Sequence, residues 1–170
     1  MEAAPMPATV NKLPVALRWM LSRDTPEIMG IEDAQFQWPW TEQDLVGCLR
    51  RRNCIGLVAE INEPETKRHG AIAGFLVYEL AKGELGIVNM AVHAACERQG
   101  VGTELIGRLF TLLSPQKGRR KKIVAEVRET NVEAQLFFKA LGFKAVAVIA
   151  HPYIENDEDG IAFEYRLGEA

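Results

Sequence analysis

The sequence predicts a mixed α/β domain, a sheet with helices laid against it, and three observations lead there. Strand-like apolar runs are interleaved with segments of helical spacing, in the order β-α-α-β-β-β-α-β-α-β-β. The 170 residues fit one domain and suffice for a sizeable core, with 48% apolar and 25% charged residues, an ordinary globular balance. No repeat or linker divides the chain, so residues 14–170 read as a single domain. Residues 1–13 read as a flexible arm, because Ala, Pro and polar residues dominate there without periodicity.

"VALRWMLSR", Val15 to Arg23, reads as the first strand. Asp24 then offers a helix cap, with Pro26 where the first helical turn accepts a proline, and the helix runs to about Gln35. "FQWPW" interrupts it, and Thr41 with Asp44 starts a second helix through "TEQDLVGCLRR". "CIGLVAEI" and "AIAGFLVYEL" are strands joined by the polar hairpin loop "NEPETKRHG", and "LGIVNMAV" is a fourth. Leu105, Ile106, Leu109, Leu112 and Leu113 keep helical spacing until Pro115 ends their helix. After the strand "KKIVAEVR", Asn131 caps a helix with Leu136, Phe137, Ala140 and Leu141 on one face, and Gly142 stops it. "FKAVAVIA" and "IAFEYRL" complete seven strands and four helices.

Composition excludes several classes of function. A net charge of −3 gives no general attraction for nucleic acid or anionic membrane. The basic run Lys117 to Lys122 reads as a solvated loop before a strand. Cys48, Cys54 and Cys96 are odd in number and lack CxxC spacing, so neither a disulfide framework nor a metal site is expected, which suits a reducing compartment. The amino terminus lacks the apolar centre of a secretory signal, and no segment approaches the roughly 18 apolar residues of a membrane helix. A cytoplasmic protein is expected.

Within "ERQGVGTELIGRLF", Gly100 and Gly102 open a helix just after a strand. The first amides of a helix have no partner within it, and the helix dipole favours negative charge there. Glycines remove the β-carbons that would keep phosphate oxygens from those amides. The dinucleotide pattern G-x-G-x-x-G fails, because Leu105 stands where its third glycine belongs, and the G-x-x-x-x-G-K pattern fails too. By itself the stretch reads equally as a turn or as a phosphate cradle.

"NMAVHAACERQGVGTELI" followed by "NVEAQLFFKALGF" resembles the GNAT superfamily of acetyl-CoA-dependent N-acetyltransferases, and the resemblance runs from about Val15 to Leu167. Through "IEDAQFQWPWTEQDL", "GFLVYEL", "VAEVRETN" and "HPYIENDEDGIAFEYRL" it extends to the branch that acetylates the alanine termini of ribosomal proteins. The resemblance implies a mostly antiparallel seven-stranded sheet flanked by about four helices. It implies that Arg98, Gln99, Gly100, Val101, Gly102 and Thr103 cradle the pyrophosphate of acetyl-CoA. The backbone of Met90, Ala91 and Val92 would pair with the pantetheine arm at a splayed strand edge, an amide near Val92 would polarise the acetyl carbonyl, and Asn131 would reach the cofactor. Two departures stand out: Glu97 takes the place of the motif's first Arg or Gln, and Phe138 takes that of a Tyr that protonates the departing sulfur. Phe138 then reads as core or as a wall for the pantetheine.

Acetyl transfer requires a neutral amine. A protein α-amine, with a pKa of about 7.7–8.0, is roughly one-tenth neutral at pH 7, whereas a lysine is neutral in about one molecule in 2,500. A single carboxylate therefore suffices as general base for an amino terminus. In "KKIVAEVR", alternation puts Val124, Glu126 and Arg128 on one face. Glu126 reads either as a base partly desolvated by apolar neighbours or as a surface pair with Arg128, and the resemblance implies the base. Tyr153 or a water stands as substitute acid, and Tyr153 with Trp40 as candidates to touch the acceptor, beside Phe36 and Trp38. Glu32 and the run Asn156-Asp157-Glu158-Asp159 are candidates to attract a basic peptide. The expected acceptor is a protein amino terminus, with a small amine, or a catalytically weak acyl-CoA-binding module, as the alternatives.

Overall fold

The computed structural model describes residues 11–62 and 70–169, so most of the 1–13 arm and the middle of the 62–70 loop lie outside the described residues. β1 (Val15–Trp19) is followed by α1 (Thr25–Gln35), α2 (Glu42–Leu49), β2 (Cys54–Ile61), β3 (Ile72–Leu80) and β4 (Glu84–Val92). Then come α3 (Val101–Phe110), β5 (Lys122–Arg128), α4 (Val132–Ala140), β6 (Lys144–Ile149) and β7 (Gly160–Arg166). The strands form one seven-stranded sheet in the order β1-β2-β3-β4-β5-β7-β6. Every neighbouring pair is antiparallel except β4 and β5, which run parallel. Among the described residues no helix is long and apolar enough to cross a membrane.

The order of elements matches the sequence expectation, and three boundaries differ for identifiable reasons. β1 ends at Trp19 rather than Arg23, because Arg18 binds Asp24 through two 2.8 Å bonds and the Leu21 amide donates to the same carboxylate at 2.7 Å. That curls residues 22–24 into a turn of 3-10 helix. α3 ends at Phe110, where bonds from Leu112 to Leu109 and from Leu113 to Phe110 tighten its last turn. On α4 the inward residues are Ala134, Phe137, Phe138 and Leu141, whereas Leu136 is 60% exposed. Phe138 is the buried centre of that face, as its reading as core implied, with rings of Phe137, Phe143 and Phe163 around it. Leu13, which the sequence assigned to the arm, packs on the core, and its amide donates to the Gln99 carbonyl at 3.0 Å.

Alternation along the strands sends side chains to two cores. One, beneath α3 and α4, holds Leu76, Leu85, Leu105, Leu109, Ile123 and Phe163. The other, beneath α1 and α2, holds Ile28, Ile31, Leu45, Val58, Phe75 and Val77. The basic loop is partly consumed in tying the chain: Arg120 donates to the Ala81 carbonyl at 3.0 Å, and Lys122 sits between Glu84 and Glu164.

Candidate active site

The parallel ladder between β4 and β5 covers only Glu84–Ile87 against Lys122–Ala125. Beyond it the strands part, so Val88 to Val92 keep β3 on one edge and leave the other edge without a strand. Two cavities open on the two sides of this gap. The first, about 420 Å3, lies on the α3 and α4 side and is lined by Met90, Ala91, Val92, Arg98, Gly100, Val101, Gly102, Thr103, Asn131 and Phe138 among others. The second, about 780 Å3, lies on the α1 and α2 side and is lined by Trp38, Trp40, Asp44, Cys48, Val88 and Glu155 among others.

The first cavity ends on the amino terminus of α3, where the first-turn amides have no helical partner. Gly100 holds φ at +83° and Arg98 at +56°, a left-handed conformation that costs a residue other than glycine about 1–2 kcal/mol. Strain of this kind at Arg98 clusters at functional turns. A β-carbon on Gly102 would stand 3.1 Å from Phe137 and 3.2 Å from Met90, both of which line the cavity. Apolar walls leading to converging backbone amides fit a thioester arm that ends in phosphates.

Of the cofactor residues expected from the sequence, Gln99 does not line this cavity; its side chain donates to the Ala95 carbonyl at 3.0 Å. Asn131 lines it, but its side chain also accepts the Ala134 amide at 3.1 Å as the α4 cap. The Val92 carbonyl already accepts Gln35 Nε2 at 2.8 Å. The same Gln35 amide donates to Glu97 at 2.8 Å, which ties down the carboxylate standing beside the glycine turn. The Arg98 side chain pairs with Glu133 at 3.3 Å, and both are 85% exposed, so this pair contributes little. Gln35 and Phe137 went unnoticed in the sequence, where the first looks like a helix end and the second like core.

On β5, Ile123, Ala125 and Val127 face the α3 and α4 core, which sends Glu126 and Arg128 to the side of the second cavity. Glu126 is exposed, so the first of its two readings, desolvation by apolar strand neighbours, is not met. Nor does Arg128 serve as its partner: the guanidinium binds Glu158 at 3.1 Å and Glu155 at 3.2 Å. Arg128 also lies 3.7 Å from the Tyr153 ring centre and 4.6 Å from that of Trp38. Stacking of this kind joins the α1–α2 loop to the β6–β7 loop across the gap.

Tyr153 is half-buried, and its hydroxyl lies within the field of the Glu126 carboxylate. Burial first, and then the Glu126 charge, push the phenol well above its ordinary value, so it stays protonated. Gly160 completes the seat of Glu126: a β-carbon there would lie 3.0 Å from Pro152 and 3.2 Å from Glu126 Oε1. Register places Gly160 opposite Arg128, which the sequence did not disclose.

The acidic candidates are occupied structurally. Glu32, 1% exposed, accepts from Asn89 and from the Trp40 amide, holding "FQWPW" against β4, and burial raises its pKa. Glu158 accepts from the Thr130 hydroxyl and amide, Asn156 and Arg128, with the hydroxyl contributing most, and its pKa falls to about 2. Asp159 accepts the His151 amide at 3.1 Å.

The sheet is thus parted at its centre, with a helix start of unpartnered amides on one side and a carboxylate on the other. The model of the acetyltransferase (GNAT) family matches residues 15–143, and the chain belongs to that family. It is an N-acetyltransferase. The ribosomal protein bS18-alanine N-acetyltransferase of Escherichia coli (strain K12) is 27% identical over 140 residues, 81% of this chain and 88% of the relative. An uncharacterized N-acetyltransferase of Methanocaldococcus jannaschii is 28% identical over 146 residues, 85% and 87% of the two chains. Among solved structures, the ribosomal-protein-S18-alanine N-acetyltransferase from Escherichia coli has a TM-score of 0.73 at 21% identity, covering 92% of this chain and 96% of that one. Arabidopsis thaliana NAA60 in complex with acetyl-CoA has a TM-score of 0.78 at 13% identity, covering 92% and 100%. These last two likenesses show the fold.

Proposed function

We propose that the enzyme transfers acetyl from acetyl-CoA to the terminal α-amine of a protein, of the ribosomal kind named for its bS18-alanine relatives, with Glu126 as general base. The observation that carries this reading is the position of Glu126, on the β5 face toward the second cavity and beside Tyr153. The first cavity would hold acetyl-CoA, its phosphates against the amides from Arg98 to Thr103 and its arm along Met90 and Ala91. The second cavity would admit the acceptor between Trp40, Trp38 and the β6–β7 loop.

Glu126 takes the ammonium proton. The freed nitrogen bonds the acetyl carbon, the carbon–sulfur bond breaks, and the one further proton that the nitrogen sheds passes through water to the departing thiolate. An exposed carboxylate meets this demand, because the α-amine is already about one-tenth neutral at pH 7. A thiol pKa near 8.5 makes the sulfur a tolerable leaving group, which lessens the loss of a tyrosine at Phe138. The test is mass-resolved acetylation of a mixture of lysine-blocked peptides that differ in their first residue. One acetyl group gained by Ala- or Ser-starting peptides is the expected result. Acetylation of small amines with none on any peptide would overturn the reading.

A further inference from the structure

Cys48 and Cys54 take no part in the reaction above, yet their placement is specific. Cys48 lies in the last turn of α2 and Cys54 opens β2. Both are 7% exposed, and their sulfurs are 2.6 Å apart. The intervening turn is already closed by backbone bonds, from the Arg51 amide to the Cys48 carbonyl at 3.0 Å and from the Cys54 amide to the Arg51 carbonyl at 3.1 Å. Joining the sulfurs therefore asks for little further ordering of the chain. Arg51 Nη2 donates to Cys48 Sγ at 3.0 Å, so any thiolate formed there meets a cation. The same arginine is anchored by Glu79 on β3. Burial pushes the Cys54 thiol up. Cys48 also lines the second cavity, which gives a small reagent a route to it. The third cysteine, Cys96, belongs to the core on the other side of the sheet.

We infer that Cys48 and Cys54 are a reversible dithiol–disulfide pair, oxidised by small disulfides of the glutathione class, which when closed ties the end of α2 to the start of β2. In the exchange, the Cys48 thiolate attacks one sulfur of oxidised glutathione, forming a mixed disulfide and expelling a glutathione thiolate, which takes up a proton. Cys54 loses its proton and attacks the Cys48 sulfur, and the second glutathione leaves. The protein loses two electrons and two protons, and one glutathione disulfide becomes two thiols. In a reducing compartment the pair rests as dithiol and closes under oxidative load.

The test treats the full chain, under conditions where its circular dichroism is native, with oxidised glutathione and then with an alkylating reagent. Non-reducing mass spectrometry follows. The expected product is lighter by two hydrogens, carries alkyl on Cys96 alone, and reverts with dithiothreitol. Trypsin cuts at Arg50, Arg51 or Arg52, so the bond appears as a cross-linked peptide pair. Cys48→Ser and Cys54→Ser should each abolish that product while staying folded. A stable glutathione adduct without closure, pairing through Cys96, or a bond formed only after denaturation would each overturn the inference. The readout is a mass, so it stands or falls independently of the peptide-acetylation reading.

Discussion

At the scale of single residues, the candidate chemistry turns on Glu126 and what surrounds it. Tyr153 lies beside the carboxylate, and Gly160 leaves the room it occupies. Glu126→Gln keeps the shape but cannot accept a proton. With a peptide acceptor, kcat should fall on the order of 10²-fold near pH 7. The deficit should narrow as pH rises past about 8, where the α-amine deprotonates unaided. Affinity for acetyl-CoA should not change, because Glu126 is not among the residues lining the first cavity. Steady-state kinetics across pH with calorimetric titration of acetyl-CoA checks both halves; an unchanged rate removes Glu126 from the role. Glu126 itself was legible, since strand alternation puts it on a face opposite Ile123, Ala125 and Val127. Its lack of cover was not, because the cover on an outer strand face comes from whichever loops happen to cross it.

Among the elements, the start of α3 matters most. Its position follows from β4 leading directly into the glycine turn, and Gly100 adopts a conformation in which a β-branched residue is strained. Gly100→Val should cost about 1–2 kcal/mol. For a chain of this size that lowers Tm by roughly 2–8 °C. The same change should displace the amides from Val101 to Thr103 and raise the Kd for acetyl-CoA at least about tenfold, a loss of roughly 1.4 kcal/mol. Thermal unfolding and calorimetry together separate these effects; normal affinity would mean that the glycines only turn the chain. The glycine spacing was readable because a helix start and a left-handed residue are local properties. Phe138 was read as core and is buried, but which face α4 turns inward was not legible, since Phe143 and Phe163, which belong to later segments, choose it.

For the molecule as a whole, the open end of the parted sheet is bridged by Arg128, stacked against Trp38 and Tyr153 and anchored by Glu158. The Glu158 pKa is depressed from 4.5 to about 2 by Thr130, Asn156 and Arg128. A carboxylate depressed in the folded state contributes stability that is complete above its unfolded value and is lost as pH falls through the folded one. The window is therefore pH 4.5 down to about 2. Between pH 5 and pH 3 the melting temperature should drop, and the drop should be smaller in Glu158→Gln, which has no charge to lose. Equal drops in the two proteins, followed by circular dichroism, would show that the latch does not contribute.

The order of strands and helices, the caps at Thr41 and Asn131, the glycine turn and the carboxylate on β5 were all readable from the chain, because each depends on neighbours within a few residues. Tertiary structure alone decided that β4 and β5 separate after Ile87 and that the gap opens to both sides. It also decided that Arg128 meets Trp38 and Glu158, that Gly160 clears space for Glu126, and that Gln35 holds Glu97. These partners are far apart in sequence, and no local periodicity encodes a distance between them. They meet only when two cores form on opposite faces of one sheet and bring their loops to the same end.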